Sequence, residues 1–132
     1  MSYVLDTTFV IDHVDGYEPA VQLLGRLFQE TSSLFTCDVV TCEALSKGDE
    51  EELAIKRILL DALEYVALAP EGARWAGEQR RSRRQLGRRA PSTTDALIAA
   101  LAHSLDATVV TRNADDFEAF DVPVLGYGQP PD

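Results

Sequence analysis

The chain has 132 residues, 45% of them hydrophobic, with 22 acidic against 12 basic side chains and a formal net charge of −10. That length suits one domain, residues 1–132, with its own hydrophobic core, and the negative total taken alone argues against a nucleic-acid partner. No segment approaches the ~18 consecutive apolar residues of a membrane span, and no basic stretch leads into a long apolar run near the N-terminus, so a cytoplasmic protein is expected.

The apolar run Tyr3-Val4-Leu5 stops at Asp6 and gives way to Thr7-Thr8 and the helix-like Phe9-Val10-Ile11, which reads as strand, turn and helix. A second helix is expected from about Glu18 to Phe28, where Val21, Leu24 and Phe28 recur at helical spacing, and then a strand at Leu34-Phe35-Thr36. The next helix, roughly Asp38 to Lys47, carries Glu43 and has Gly48 where a C-terminal cap belongs. Asp49 to Tyr65 reads as a long helix with acids in its first turn, where the helix dipole favours them. A third strand follows at Val66-Ala67-Leu68, closed by Pro70. A helix from about Glu71 to Leu86, an arginine-rich loop around Gly87 and a helix beginning near Ser92 come next. Thr108-Val109-Val110-Thr111 and Val122-Pro123-Val124-Leu125 supply the last two strands. Short apolar strands separated by helices specify an α/β fold, a parallel sheet with helices on both faces. In such sheets ligands bind beyond the carboxyl ends of the strands.

Cys37 and Cys42 match neither a zinc knuckle nor a CxxC pair and read as buried reduced thiols. His13 and His103 have no partner at metal-ligand spacing, which removes a zinc hydrolase and a two-histidine ribonuclease. No P-loop or dinucleotide glycine pattern is present, so no nucleotide cofactor is expected. Trp75, alone on its helix, reads as core or interface rather than as a base-stacking platform.

Acids punctuate the strand ends. Asp6 follows the first strand, where it either caps the next helix or faces a site. Asp95 lies three residues after Ser92 and either completes a variant capping box or joins that site. Asp115 and Asp116 follow the fourth strand; as neighbours they do not easily face one site together, and either also suits a first helical turn. Glu43 sits beside the apolar stripe of its helix. Two ionised carboxylates ~4 Å apart repel by about 4 kcal/mol at an effective dielectric near 20. Three or four gathered at one rim therefore need a cation or protonation, and a hard divalent ion with oxygen ligands meets that need. Such a site can activate water and stabilise the leaving oxygen of a displacement at phosphorus.

With Val4-Leu5-Asp6-Thr7-Thr8, the internal Glu43, Thr94-Asp95-Ala96-Leu97-Ile98-Ala99-Ala100 and Val110-Thr111-Arg112-Asn113-Ala114-Asp115-Asp116-Phe117, the chain resembles the PIN-domain nucleases over essentially its whole length. Within them it looks most like the VapC toxins of toxin–antitoxin pairs. The resemblance implies a five-stranded parallel sheet and Mg²⁺- or Mn²⁺-dependent cleavage of RNA, with metal-binding catalytic acids at Asp6, Glu43, Asp95 and Asp116. It further implies supporting roles for Thr8, Thr111, Asn113 and Asp115, a homodimer, and a cognate VapB-like antitoxin.

Half of the basic residues fall in the short stretch from Arg80 to Arg89, so a strong local positive field coexists with the negative total. On a helix Arg80, Arg84 and Arg88 share one face, which either contacts RNA phosphates or is a solvated or antitoxin-facing surface. Among competing functions, a haloacid-dehalogenase phosphatase needs an aspartate where Thr8 stands, and a receiver domain needs one after its third strand, where Ala69-Pro70 stands. A binding module whose acids hold a structural ion or none remains as a separate class.

Overall fold

A run of apolar residues without polar alternation belongs in the middle of a parallel sheet, where both faces are covered. Strand β1 (Ser2–Leu5) occupies that place, with Val4 and Leu5 fully buried. The computed structural model describes residues 1–30 and 32–128. In them β1 is joined by β2 (Ser33–Thr36), β3 (Glu64–Tyr65), β4 (Thr108–Thr111) and β5 (Val124–Gly126). The helices are α1 (Thr7–Val14), α2 (Glu18–Gln29), α3 (Asp38–Ala44), α4 (Glu50–Asp61), α5 (Pro70–Gln85) and α6 (Thr93–Leu105). All neighbouring strands pair in parallel, in the order β3-β2-β1-β4-β5. None of these helices is long and apolar enough to cross a membrane.

The order records one reversal. From β1 the chain steps outward to β2 and β3, then returns to place β4 on the free side of β1 and β5 beyond it. Parallel crossovers are right-handed, so the reversal puts α5 and α6 on the face opposite α1 to α4. α6 lies against β1 and β4 through Ala96, Ile98, Ala99, Ala100, Leu101 and Ala102, all buried, and small alanine side chains let it sit close to the sheet. Loops after β1 and β4 leave in different directions, which opens a crevice between their carboxyl ends. Asp6 follows β1 there, and residues 112 and 113 follow β4.

The expected α/β architecture is present, with shifts in its second quarter. α3 stops at Ala44 rather than Lys47, and Gly48, at φ +118°, belongs to the link into α4, which the Asp49 carboxylate caps by accepting from Glu52 N at 2.9 Å. α4 ends at Asp61 instead of continuing to Tyr65. The third strand is Glu64–Tyr65, an exposed two-residue edge paired with Phe35 and Thr36, and not the apolar run 66–68. Val66 and Leu68 instead pack, partly buried, against the core. Of the two thiols expected to be buried, Cys37 is and Cys42 is exposed.

Candidate active site

Asp6 serves both of the roles open to it. It is the N-cap of α1, its Oδ1 accepting from Thr7 N at 2.8 Å, and it sits 3% exposed in the crevice between β1 and β4. Its Oδ2 accepts from the Thr111 hydroxyl at 2.7 Å and the Thr8 hydroxyl at 3.0 Å. The Thr111 oxygen in turn accepts from Asn113 N at 3.0 Å, so the backbone at the end of β4 aims the hydroxyl proton at Asp6. Thr8 and Thr111 therefore lie where the sequence places them. Asn113 contributes its backbone N–H, while the residue itself is exposed. Burial pushes the Asp6 carboxyl up from its ordinary range, these hydrogen bonds oppose that, and the nearby Glu43 charge raises it further.

Glu43 reaches the same crevice from the last turn of α3, held by the Thr7 hydroxyl, which donates to its Oε1 at 2.6 Å. Ser92 caps α6 by accepting from Asp95 N at 3.0 Å, the expected capping contact. The Asp95 carboxyl is pushed up to about 6, chiefly by burial; the Ser92 hydrogen bond opposes this, and the charges of Asp6, Asp116 and Glu43 add to it. Asp6, Glu43 and Asp116, the last two 37 and 110 positions beyond Asp6 in the chain, thus all lie within electrostatic reach of Asp95. This also favours Asp116 as the fourth member. Asp115 and Asp116, expected not to share a site, both line one cleft because Ala114–Phe117 is a tight 3₁₀ turn.

The donor set is one of hard oxygens, suited to Mg²⁺ or Mn²⁺. Among the described residues no three His, Cys, Asp or Glu side chains stand close enough to hold an ion by protein ligands alone. The charges felt at Asp95 and this openness are compatible. Mg²⁺ is commonly bound through one or two carboxylates and keeps several waters.

The PIN-domain family profile matches residues 3–123. Ribonuclease VapC19 of Mycobacterium tuberculosis is 31% identical over 117 residues, 89% of this chain and 93% of that protein. The chain belongs to the PIN-domain family. The same fold occurs in a chain of VapBC2 from Rickettsia felis bound to a promoter DNA fragment, with TM-score 0.83, 22% identity, and 97% of this chain and 100% of that one covered. DNA-bound VapBC from Salmonella typhimurium gives 0.80, 21%, 96% and 98% in the same measures.

Of the two hydroxyls that follow Asp6, Thr7 and Thr8, the sequence favours Thr8 as the site neighbour, and Thr7 supports an acid as well. Other residues beside this PIN domain's site escaped the sequence reading. The Tyr127 hydroxyl donates to Asp12 Oδ2 at 2.8 Å and its ring meets Phe9 edge-on, which ties the end of β5 to α1; Arg112 stands 3.6 Å from Asp12 and 4.5 Å over the Tyr17 ring. No spacing rule links these positions. The arginine stripe also needs revision. α5 ends at Gln85 and Gly87 turns with φ +70°, so Arg88 lies off the helix and does not continue the face of Arg80 and Arg84. The basic residues that share the cleft with Asp95 and Asp116 are Arg80, Arg83 and Arg89. Trp75 stacks on His103 at 4.6 Å and leans on Phe120, in keeping with its reading as a packing residue.

Proposed function

We propose that this PIN domain is an endoribonuclease, the toxin of a toxin–antitoxin pair, which hydrolyses RNA phosphodiester bonds with the help of Mg²⁺ or Mn²⁺. The observation that carries the reading is the Asp95 carboxyl, raised first by burial and then by the charges of Asp6, Asp116 and Glu43, which supports one acidic rim. A divalent cation held by these acids supplies charge neutralisation and an activated water. The chain's own part is positioning. Thr111 and Thr8 fix Asp6, and Thr7 fixes Glu43, so that neither carboxylate needs to reorient as charge develops. Asp95 and Asp116 complete the acidic rim, with Asp115 beside them, and the Asn113 N–H holds Thr111 in place.

The ribonuclease name of the Mycobacterium relative supports RNA as substrate. Solved VapBC structures with this fold support a VapB-like antitoxin as partner; a homodimer acting in the cytoplasm completes the proposed reading. Arg80, Arg83 and Arg89, which share the cleft with Asp95 and Asp116, provide positive charge for the RNA backbone. Purified protein with Mn²⁺ and an RNA substrate tests the reading. Wild type is expected to cut, and Asp95→Asn to lose cleavage; cutting that survives in that variant contradicts the assignment.

A further inference from the structure

Asp95, Asp115 and Asp116 open onto a cleft of about 480 Å³ that carries both signs of charge. Arg80, Arg83 and Arg89 come from α5 and the loop after it, while Asp95, Asp115 and Asp116 come from α6 and the 3₁₀ turn. Opposite charges sharing one cleft ordinarily pair. Here they stay apart, and the ion pairs among the described residues, Arg26 with Glu30 and Arg112 with Asp12, lie elsewhere. Arg80 is fixed by its Nε, which donates to the Pro91 carbonyl at 2.9 Å and leaves its terminal N–H groups for another acceptor. Arg83 Nε is buried without a hydrogen-bond partner among the described residues. A buried donor lacking an acceptor is unfavourable and calls for a ligand that supplies one.

We propose that Arg83 and Arg89 bind the RNA phosphate next to the one presented to the acids, with Arg80 as a fixed post between α5 and the loop before α6. This deepens the ribonuclease reading and rests on it. A guanidinium fork matches phosphate oxygens bidentately, and the cleft's volume lies within the roughly 300–1,000 Å³ of small-ligand sites. The unpaired arrangement follows from use. Arginines locked onto the aspartates would leave neither an anion site nor a cation site, whereas charges held apart take the phosphate with one set and its counter-ion with the other.

The test is binding of a short labelled single-stranded RNA in EDTA, where nothing is cut, across a salt series. Arg83→Gln and Arg89→Gln are each expected to weaken binding roughly five- to tenfold and to lower the log–log salt slope by about 0.7. Arg83→Lys, which keeps charge but not the fork, falls between. Arg84→Gln, exposed on the same helix but outside the cleft, changes binding less than Arg83→Gln does. Equal losses at Arg84 and Arg83 mean a diffuse basic face and overturn the subsite. Unchanged binding by the Arg83 and Arg89 variants, in a protein whose wild type cuts RNA, also removes the subsite but leaves the ribonuclease reading. A wild type that neither binds nor cuts RNA removes both.

Discussion

Replacing Asp95 with Asn should make the metal-free protein more stable while abolishing its activity. The Asp95 carboxyl is raised from 3.8 to about 6, chiefly by burial and then by the charges of Asp6, Asp116 and Glu43. The folded state therefore holds this proton more tightly than the unfolded chain does. The contribution to stability is full below about 3.8 and is lost as pH rises through about 6, so at neutral pH the ionised group weighs against the fold. At about 1.36 kcal/mol per unit the shift corresponds to ~3 kcal/mol, and solvent screening at a half-exposed group reduces it by about half. Losing a negative charge in the first turn of α6 offsets a further ~0.5 kcal/mol. The net gain for Asp95→Asn is about 1 kcal/mol at neutral pH, or roughly 3–5 °C in Tm for a chain of this size. Thermal unfolding followed by circular dichroism in EDTA reads it directly, and the advantage should shrink by about half between neutral pH and pH ~5. An Asp95→Asn variant no more stable than wild type at neutral pH, or an advantage that does not shrink on acidification, refutes the claim that burial, with the neighbouring acids, disfavours the ionised Asp95 in the metal-free fold.

Thr111→Val keeps the buried shape but removes the proton that Asp6 Oδ2 accepts at 2.7 Å. A hydrogen bond to a charged group contributes about 1.5–3 kcal/mol, so kcat is expected to fall roughly tenfold or more with KM little changed and Thr111→Ser to restore it; equal rates for Val and Ser would dismiss the positioning role. Tyr127→Phe deletes the bond to Asp12 at 2.8 Å while keeping the ring on Phe9. Urea unfolding should show a loss of about 1 kcal/mol, and an unchanged midpoint would mean that the end of β5 is held by ring packing alone.

The parts of the fold legible in the sequence were those set by burial on both faces. Val4-Leu5 and Val109-Val110 form unbroken apolar runs because β1 and β4 lie inside the sheet, and their ends mark the crevice. β3 was misplaced because an edge strand is under no such demand. Glu64 and Tyr65 are exposed, and pairing with β2 through backbone groups leaves no apolar pattern, whereas the more hydrophobic 66–68 run packs against the core without being a strand. At the site, acids at strand ends and helix starts could be picked out one by one, since a local rule governs each. Thr7 holding Glu43 across 36 positions, and Arg83 sharing a cleft with Asp116, depend on how α3 and α5 sit on the sheet, which no local spacing encodes. The Arg80, Arg84, Arg88 stripe failed for a local reason: the helix ends before its third member.

The central claim is that four side chains, from the N-cap of α1, α3, α6 and the turn after β4, form one rim that binds a divalent cation directly or through its waters. Titration of the metal-free protein with Mn²⁺, followed by electron paramagnetic resonance of the free ion, tests it without any RNA. Wild type should bind, and Asp6→Asn, Glu43→Gln, Asp95→Asn and Asp116→Asn should each weaken binding by roughly tenfold or more. Wild-type affinity in all four folded variants would contradict the account.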